Sequence, residues 1–516
     1  MLPPFRNETF TDFSRDENRR AAEKALALVA SRFGETGRLL IDGQWVAAAG
    51  TFPSLDPSTK DRSLGNYAKG GTAEAERAIE AAGRAFETWR FTPARERAGY
   101  LLRAAAAMRR RRLELAATMV HEVGKNWPEA DGDVAEAIDF CEFYAREALR
   151  WSEPHPLTPV AGEENEQEYI PLGVGAVIPP WNFPLAILVG MTTAAIAAGN
   201  TVVLKPSSDA PAIALRFAEI LNEECRLPAG VLNLVTGGGG TVGETIVVDP
   251  RVRFIAFTGS MEVGLGIHEK AARTPPGQRW IKRTILEMGG KDPIVVDSDA
   301  DLDQAAAGVV ASAFGYQGQK CSACSRLIVV EDVHDELVAR VVERTKALRV
   351  GPAWEFGVDM GPVVNRSQHE SVLAYMEVGR KEGRVVAGGG RAAGEGHFLQ
   401  PTVVDGVART ARLAREEVFG PILAVIPVRD FADALEVAND TPFGLTGALY
   451  ARRRDRIEEA KRRLHVGNLY FNRKCTGALV GAHPFGGFNM SGTDSKAGGR
   501  DYLGLFLQAK VWSERL

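Results

Sequence analysis

Cys321 has the greatest chemical reach of any side chain in this sequence. It sits in Gly318-Gln319-Lys320-Cys321-Ser322. A glycine turn and an adjacent cation there would favour the thiolate, the form that attacks an electrophilic carbon. A buried, inert cysteine is the plainer alternative. Cys321-Ser322-Ala323-Cys324 also spells a C-x-x-C pair. Its place deep in the chain, rather than after a first strand, argues against a redox dithiol. Glu287, in Leu286-Glu287-Met288-Gly289-Gly290-Lys291, is a carboxylate between apolar neighbours at a glycine turn. Burial there would raise its pKa and make it a usable general base. On its own it also reads as a solvent-facing strand end. Asn182 lies in Pro180-Trp181-Asn182-Phe183-Pro184. The two prolines stiffen the loop, so the amide is either a fixed donor for a developing oxyanion or the cap of the next helix.

Three loops suit a phosphate or a ribose: Lys205-Pro206-Ser207, Gly237 to Gly240, and Gly259-Ser260-x-x-Val263-Gly264. None spells a dinucleotide fingerprint or a Walker loop, because Gly243 is followed by Glu244. His121-Glu122 has no second histidine at zinc-protease spacing. With 8 His and 5 Cys in 516 residues, neither a metal-ligand array nor a disulfide framework is visible. No metal is expected.

The elements that must hold these groups follow an α/β rhythm. Residues 74–90, 94–112 and 135–151 have helical spacing, with Pro128 interrupting the pattern before the last. From residue 173 onward, apolar strands (174–178, 201–204, 231–235, 254–257) alternate with helices (185–198, 211–221, 242–248). A second unit repeats the rhythm at 293–296, 305–314, 325–330 and 333–347. This predicts two parallel sheets covered by helices, with a cleft between them. Residues 152–171 are rich in Pro and Glu and end in a strand signal at 168–170, whose expected partner is 505–507 or 510–512.

A 516-residue chain is too long for one ordinary core. With 45% hydrophobic and 25% charged residues it has a globular composition, and a net charge of −4 offers no polycation for nucleic acid. The apolar runs at 185–198 and 305–313 are too short for a bilayer. The polar start (Arg6, Asn7, Glu8, Asp12) and the odd cysteine count predict a cytoplasmic protein.

Taken in order, these motifs resemble the aldehyde dehydrogenase superfamily over nearly the whole chain. Glu416-Glu417-Val418-Phe419-Gly420-Pro421 and Pro484-Phe485-Gly486-Gly487 complete the set. The resemblance implies an α/β fold with a Rossmann-like NAD-binding domain (residues 1–151 and 172–286) and an α/β catalytic domain (287–488). It adds a small β oligomerisation flap (152–171 and 489–516). It makes Cys321 the nucleophile, Glu287 the base, and Asn182 the side-chain half of an oxyanion hole completed by the Cys321 N–H. Lys205, Ser207, Ser208, Gly259, Ser260, Val263, Glu417, Phe419, Pro180 and Trp181 become contacts for NAD. Ser208 departs from the glutamate common among NAD-preferring members, so it sets up no charge against the 2′-phosphate of NADP.

Gly467-Asn468-Leu469-Tyr470-Phe471-Asn472-Arg473-Lys474-Cys475-Thr476-Gly477-Ala478 and Gly124-Lys125-Asn126-Trp127 resemble the branch of the family that oxidises L-glutamate γ-semialdehyde, the second step of proline degradation. For that branch Ser322, Gly477 and Ala478 would hold the substrate α-carboxylate, and Phe183 and Phe485 its aliphatic middle. Other ω-carboxy aldehydes, such as succinate semialdehyde, are the alternative substrates. The resemblance further implies a small-molecule substrate delivered by a separate proline dehydrogenase, and at least a homodimer, with a trimer of dimers equally admissible.

Overall fold

The computed structural model describes residues 2–60 and 62–516. The first sheet has seven strands. Five run parallel in the order Arg283–Glu287, Val252–Thr258, Val174–Ile178, Thr201–Leu204, Leu232–Leu234, and the antiparallel pair Leu39–Ile41 and Gln44–Val46 closes one edge. Thr201–Leu204 is buried along its whole length. A strand covered on both faces reads as an unbroken apolar run for that reason.

The second sheet also has seven strands, in the order Arg384–Ala387, Thr402–Asp405, Ile422–Val428, Cys324–Val330, Asp292–Val296, Thr446–Tyr450, Asn468–Phe471. Only the first of these, at the edge, is antiparallel to its neighbour. The carboxyl ends of the first sheet's strands release the loops that carry the chemistry. Ile178 leads to Pro180–Phe183, Leu204 to Lys205, Thr258 to Gly259-Ser260, and Glu287 is itself the last residue of its strand. In open α/β sheets that edge is where ligands bind.

Four expectations change. Pro128 does not interrupt a helix; it lies in the first turn of Trp127–Trp151, where its missing N–H costs nothing, and Asn126 caps that turn by accepting from Glu129 N at 3.1 Å. Residues 94–112 are two helices, Ala94–Arg110 and Arg112–Val123, broken at Arg111. Strand 168–170 extends over Glu163–Pro171 and pairs with Leu507–Arg515, in a register that sets Lys510 opposite Glu168. The two-stranded ribbon is confined to those residues. Segment 489–506, assigned to the same flap from sequence, folds back onto the body: Asn489 pairs with Phe443, Thr493 N donates to Leu286 O, and Tyr502 and Phe506 are buried.

Candidate active site

The loop before Cys321 is held in an unusual shape. Tyr316 and Gln317 have φ of 49° and 57°, the left-handed region that side chains seldom adopt, and both are buried. Distant backbone holds them there. Tyr316 Oη donates to Val123 O (2.9 Å), and Gln317 Nε2 donates to Gly124 O (3.1 Å) and Pro362 O (2.7 Å). Gln319 O accepts from Asn182 Nδ2 at 3.0 Å. That bond orients the amide, and among the described residues its second N–H has no partner and is left for the cleft, which Asn182 and Cys321 both line.

Lys320 does not activate the thiol. Its ammonium is drawn away to Glu129 at 2.6 Å. Burial, followed by the carboxylates of Asp292, Glu417 and Glu287, pushes the Cys321 thiol well above its ordinary range. The C-x-x-C alternative also fails on geometry. Cys324 begins a core strand, 1% exposed, with its thiol on Arg326 O, whereas Cys321 is open to the cleft. Cys475 lies beneath the same loop, its thiol donating to Ser322 O at 3.3 Å.

Glu287 is pushed up to about 7 by burial, against the lowering effect of its donors and of the Lys496 ammonium. Ser495 Oγ donates to its Oε1 and Gly487 N to its Oε2, the latter at 3.2 Å. Lys496 is fixed by the carbonyls of Gly467 and Gly486, both at 2.7 Å. A carboxyl that ionises near neutral pH suits a general base, because its ionised form can accept a proton from water there.

A cleft of about 800 Å³ opens beside Cys321. Pro180, Trp181, Lys205, Ser207, Gly259, Ser260, Val263, Glu417 and Phe419 line it. Ser260 caps helix Met261–Ala272 by accepting from Val263 N at 3.4 Å, which turns a helix N-terminus toward the cleft. Val263 is 51% exposed on that wall, an apolar face for a planar base. Lys205 is buried, its pKa lowered to about 8 by burial, with its ammonium on Pro206 O at 3.0 Å. Glu417 accepts from Gly290 N at 3.0 Å, and Phe419 stands edge-on to Trp181 at 5.5 Å. The slot, the helix end, the buried lysine and the carboxylate together fit a dinucleotide. Ser208 is not part of this wall. Its hydroxyl donates to Gly237 O at 3.4 Å, and it opens onto an adjacent cavity with Asp209 and Asn365.

The residues expected to hold substrate, Phe183, Phe485, Ser322, Gly477 and Ala478, lie outside the lining of that cleft. Phe183 and Phe485 are half-buried, and Ser322 is buried beside the nucleophile. Gly477 has φ of 78°, which a β-carbon would strain. Arg473 ties the loop down by donating to Thr476 O (2.9 Å) and Gly477 O (3.2 Å). Among the described residues, neither Gly477 N–H nor Ala478 N–H is spent on a protein acceptor.

Sequence reasoning missed Gln368, whose amide donates to Val418 O (3.1 Å) and Phe419 O (2.8 Å) at the cleft rim. It also missed Ser495 and Lys496 beside Glu287. No local spacing reveals these, because each meets its partner from a distant segment.

Two α/β sheets flanking a cleft that fits a dinucleotide, with the Cys321 thiol on its wall and the Glu287 carboxyl directly before Met288 of that wall, have the layout of a dehydrogenase. The model of the aldehyde dehydrogenase family matches residues 45–512, and the chain belongs to that family. It is similar to 1-pyrroline-5-carboxylate dehydrogenase of Geobacillus thermodenitrificans (strain NG80-2), at 53% identity over 100% of both chains. It also resembles a crystal structure of 1-pyrroline-5-carboxylate dehydrogenase from Thermus with bound NAD, at 54% identity and a TM-score of 0.98 over 100% of both chains. A structure of proline utilization A from Bdellovibrio bacteriovorus matches at 42% identity and a TM-score of 0.98, over 99% of this chain and 53% of that one.

Proposed function

We propose that this protein oxidises L-glutamate γ-semialdehyde, formed from 1-pyrroline-5-carboxylate, to L-glutamate with NAD, through a thioester on Cys321. The pair of unspent N–H groups at Gly477 and Ala478, in the loop whose Cys475 thiol donates to Ser322 O, supports the substrate half of this reading. Two adjacent backbone donors in an aldehyde site suit a carboxylate at the far end of the substrate. Ser322 adds a hydroxyl, and Phe183 and Phe485 hold the methylene chain between the two ends. The relatives named above carry that activity in their names.

The chemistry follows from the groups present. Ionised Cys321 adds to the aldehyde carbon and makes an alkoxide. The free N–H of Asn182 and the Cys321 backbone N–H stabilise that charge. The cofactor held in the cleft would supply the hydride acceptor, and loss of hydride from this carbon leaves a thioester on Cys321. Glu287 removes a proton from water, the water attacks the thioester, and the Cys321 thiolate leaves as the acid forms. Lys205, Ser207, Gly259, Ser260, Val263, Glu417, Phe419, Pro180 and Trp181 would hold the cofactor. The aldehyde is supplied by a proline-oxidising activity, in the cytoplasm, and the ribbon of Glu163–Pro171 with Leu507–Arg515 would join two copies of the chain.

Steady-state kinetics with pyrroline-5-carboxylate, succinate semialdehyde and propanal decide the substrate. Pyrroline-5-carboxylate is expected to lead by kcat/KM; a lead for succinate semialdehyde overturns the assignment. Ser322→Ala is expected to remove one hydrogen bond to a charged group, about 1.5–3 kcal/mol, or about one to two decades of kcat/KM. The loss should fall on pyrroline-5-carboxylate and spare propanal. Equal losses on both would place the hydroxyl in service of Cys321 instead. Gly477→Val should act in the same direction, because a branched side chain at φ of 78° both strains the loop and shields its donors.

Ser208→Glu bears on the cofactor. A carboxylate reaching from this position toward the Lys205 ribose site is expected to weaken NADP more than NAD. Dissociation constants for both cofactors test this. Equal changes would show that residue 208 keeps to the adjacent cavity, as Ser208 does here.

A further inference from the structure

Lys125 is one of the most enclosed charges in the protein. It is 0% exposed, and so are both side chains of its ion pair with Asp133 (Nζ to Oδ2, 2.8 Å). Such a pair is a poor source of stability, because desolvating two charges offsets most of their attraction, and apolar replacements are often neutral or better. Its surroundings point to another use. The ammonium stands 3.9 Å from the ring centroid of Phe183 and 4.7 Å from that of Tyr316. Both lie within cation–π range, and burial strengthens both contacts.

The two rings belong to the two loops that must meet for catalysis. Phe183 directly follows Asn182. Tyr316 lies five positions before Cys321, in the left-handed part of that loop. The anion completes the clamp: Asp133 Oδ1 accepts from Ala186 N at 2.6 Å, the first residue of the helix that follows Asn182 and Phe183. Lys125 itself is anchored next to Gly124, whose carbonyl receives Gln317. One buried ion pair therefore grips the Asn182 loop at its ring and at its helix, and grips the Cys321 loop at its ring. Among the described residues, the only direct hydrogen bond from the Asn182 side chain to the nucleophile loop is the 3.0 Å contact with Gln319 O.

We propose that Lys125, with Asp133, is a positioning residue that sets the Asn182 amide against the Cys321 loop, so that the oxyanion donor is in place before the aldehyde arrives. This rests on the oxyanion role given to Asn182 above. It assigns to the Gly124-Lys125-Asn126-Trp127 segment a catalytic consequence without contact with substrate. A displacement of about 1 Å in such a donor is enough to cost about two decades in rate.

The test is a double-mutant cycle. Lys125→Met is made together with Asp133→Asn, so that no buried carboxylate is left alone and residue 133 can still accept from Ala186 N. The change is introduced into the wild type and into Asn182→Ala, and thermal melting confirms that each variant is folded. In the wild-type background the pair is expected to lower kcat by about one to two decades, alike for propanal and pyrroline-5-carboxylate, with the NAD dissociation constant unchanged. In the Asn182→Ala background the same change should add less than about twofold, because the donor it positions is gone. Losses that multiply in full across the two backgrounds would overturn the proposal, as would a fall in melting temperature with kcat intact. If Asn182→Ala alone leaves kcat unchanged, the oxyanion reading of Asn182 fails, and this proposal fails with it. A cofactor-affinity loss that tracks the kcat loss would mean that Lys125 supports the cleft rather than the donor, and would also overturn it.

Discussion

Cys321→Ala is expected to abolish NADH formation, by on the order of 10⁴-fold or more, while NAD still binds with a dissociation constant within about threefold of wild type. The separation follows from the layout of the site. The cofactor contacts proposed above lie on the Ser260 helix and at Lys205, Glu417 and Phe419, and none of them depends on the thiol. The adduct depends on it entirely. No other sulfur can substitute, since Cys324 is 1% exposed and Cys475 0%, both behind the loop. Cys324→Ala is therefore expected to keep most of the activity. Intact-protein mass measured after mixing with aldehyde and NAD gives an independent check, because a glutamyl thioester should appear on the wild type and not on Cys321→Ala. Activity that survives Cys321→Ala and disappears in Cys324→Ala would move the nucleophile to the other thiol.

Much of this site could be read before any coordinates. Strands ending at Ile178, Leu204 and Thr258 were visible as apolar runs, and the residues just past them are the ones at the cleft. Local periodicity carries that information because a strand buried on both faces must be apolar throughout. Long-range electrostatics did not show. Lys320 beside Cys321 suggested an activating cation, but its carboxylate partner Glu129 lies 191 positions away. With no cation to oppose them, burial and then the carboxylates of Asp292, Glu417 and Glu287 raise the thiol. Burial of Glu287 was one of two readings of its motif, the other a solvent-facing strand end, and the Ser495 hydroxyl that binds it is 208 positions distant. Pro128 misled for a different reason. Proline breaks a helix interior and begins a helix equally well, and only the capping bond from Asn126 decides which. Lys125 stood in a motif without a role, since its meaning is the simultaneous approach of Phe183, Tyr316 and Asp133.

Glu287→Gln should separate the two halves of the reaction. Adduct formation and hydride loss need Cys321, the oxyanion donors and the cofactor, so a burst of NADH close to one per site is expected. Release of the acid needs a base for water, and a glutamine amide cannot supply one. Steady-state turnover should then fall by about two to four decades. The pH dependence provides a second signature. In the wild type Glu287 titrates at about 7, raised by burial, so turnover should climb with pH through that value as the carboxyl loses its proton and becomes a base. Below it the group is protonated and cannot accept from water. In Glu287→Gln the limb near 7 should vanish, leaving only the rise at higher pH that belongs to the Cys321 thiol, which burial holds above its ordinary range. Hydroxylamine sharpens the distinction, because it attacks a thioester without a base and should restore turnover to the stalled enzyme. No rescue, together with no burst, would put Glu287 at the first step instead of the second. Unchanged turnover at pH 7 would assign the base to another group, and Lys496, already turned toward Gly467 and Gly486, is the nearest titrating neighbour to examine.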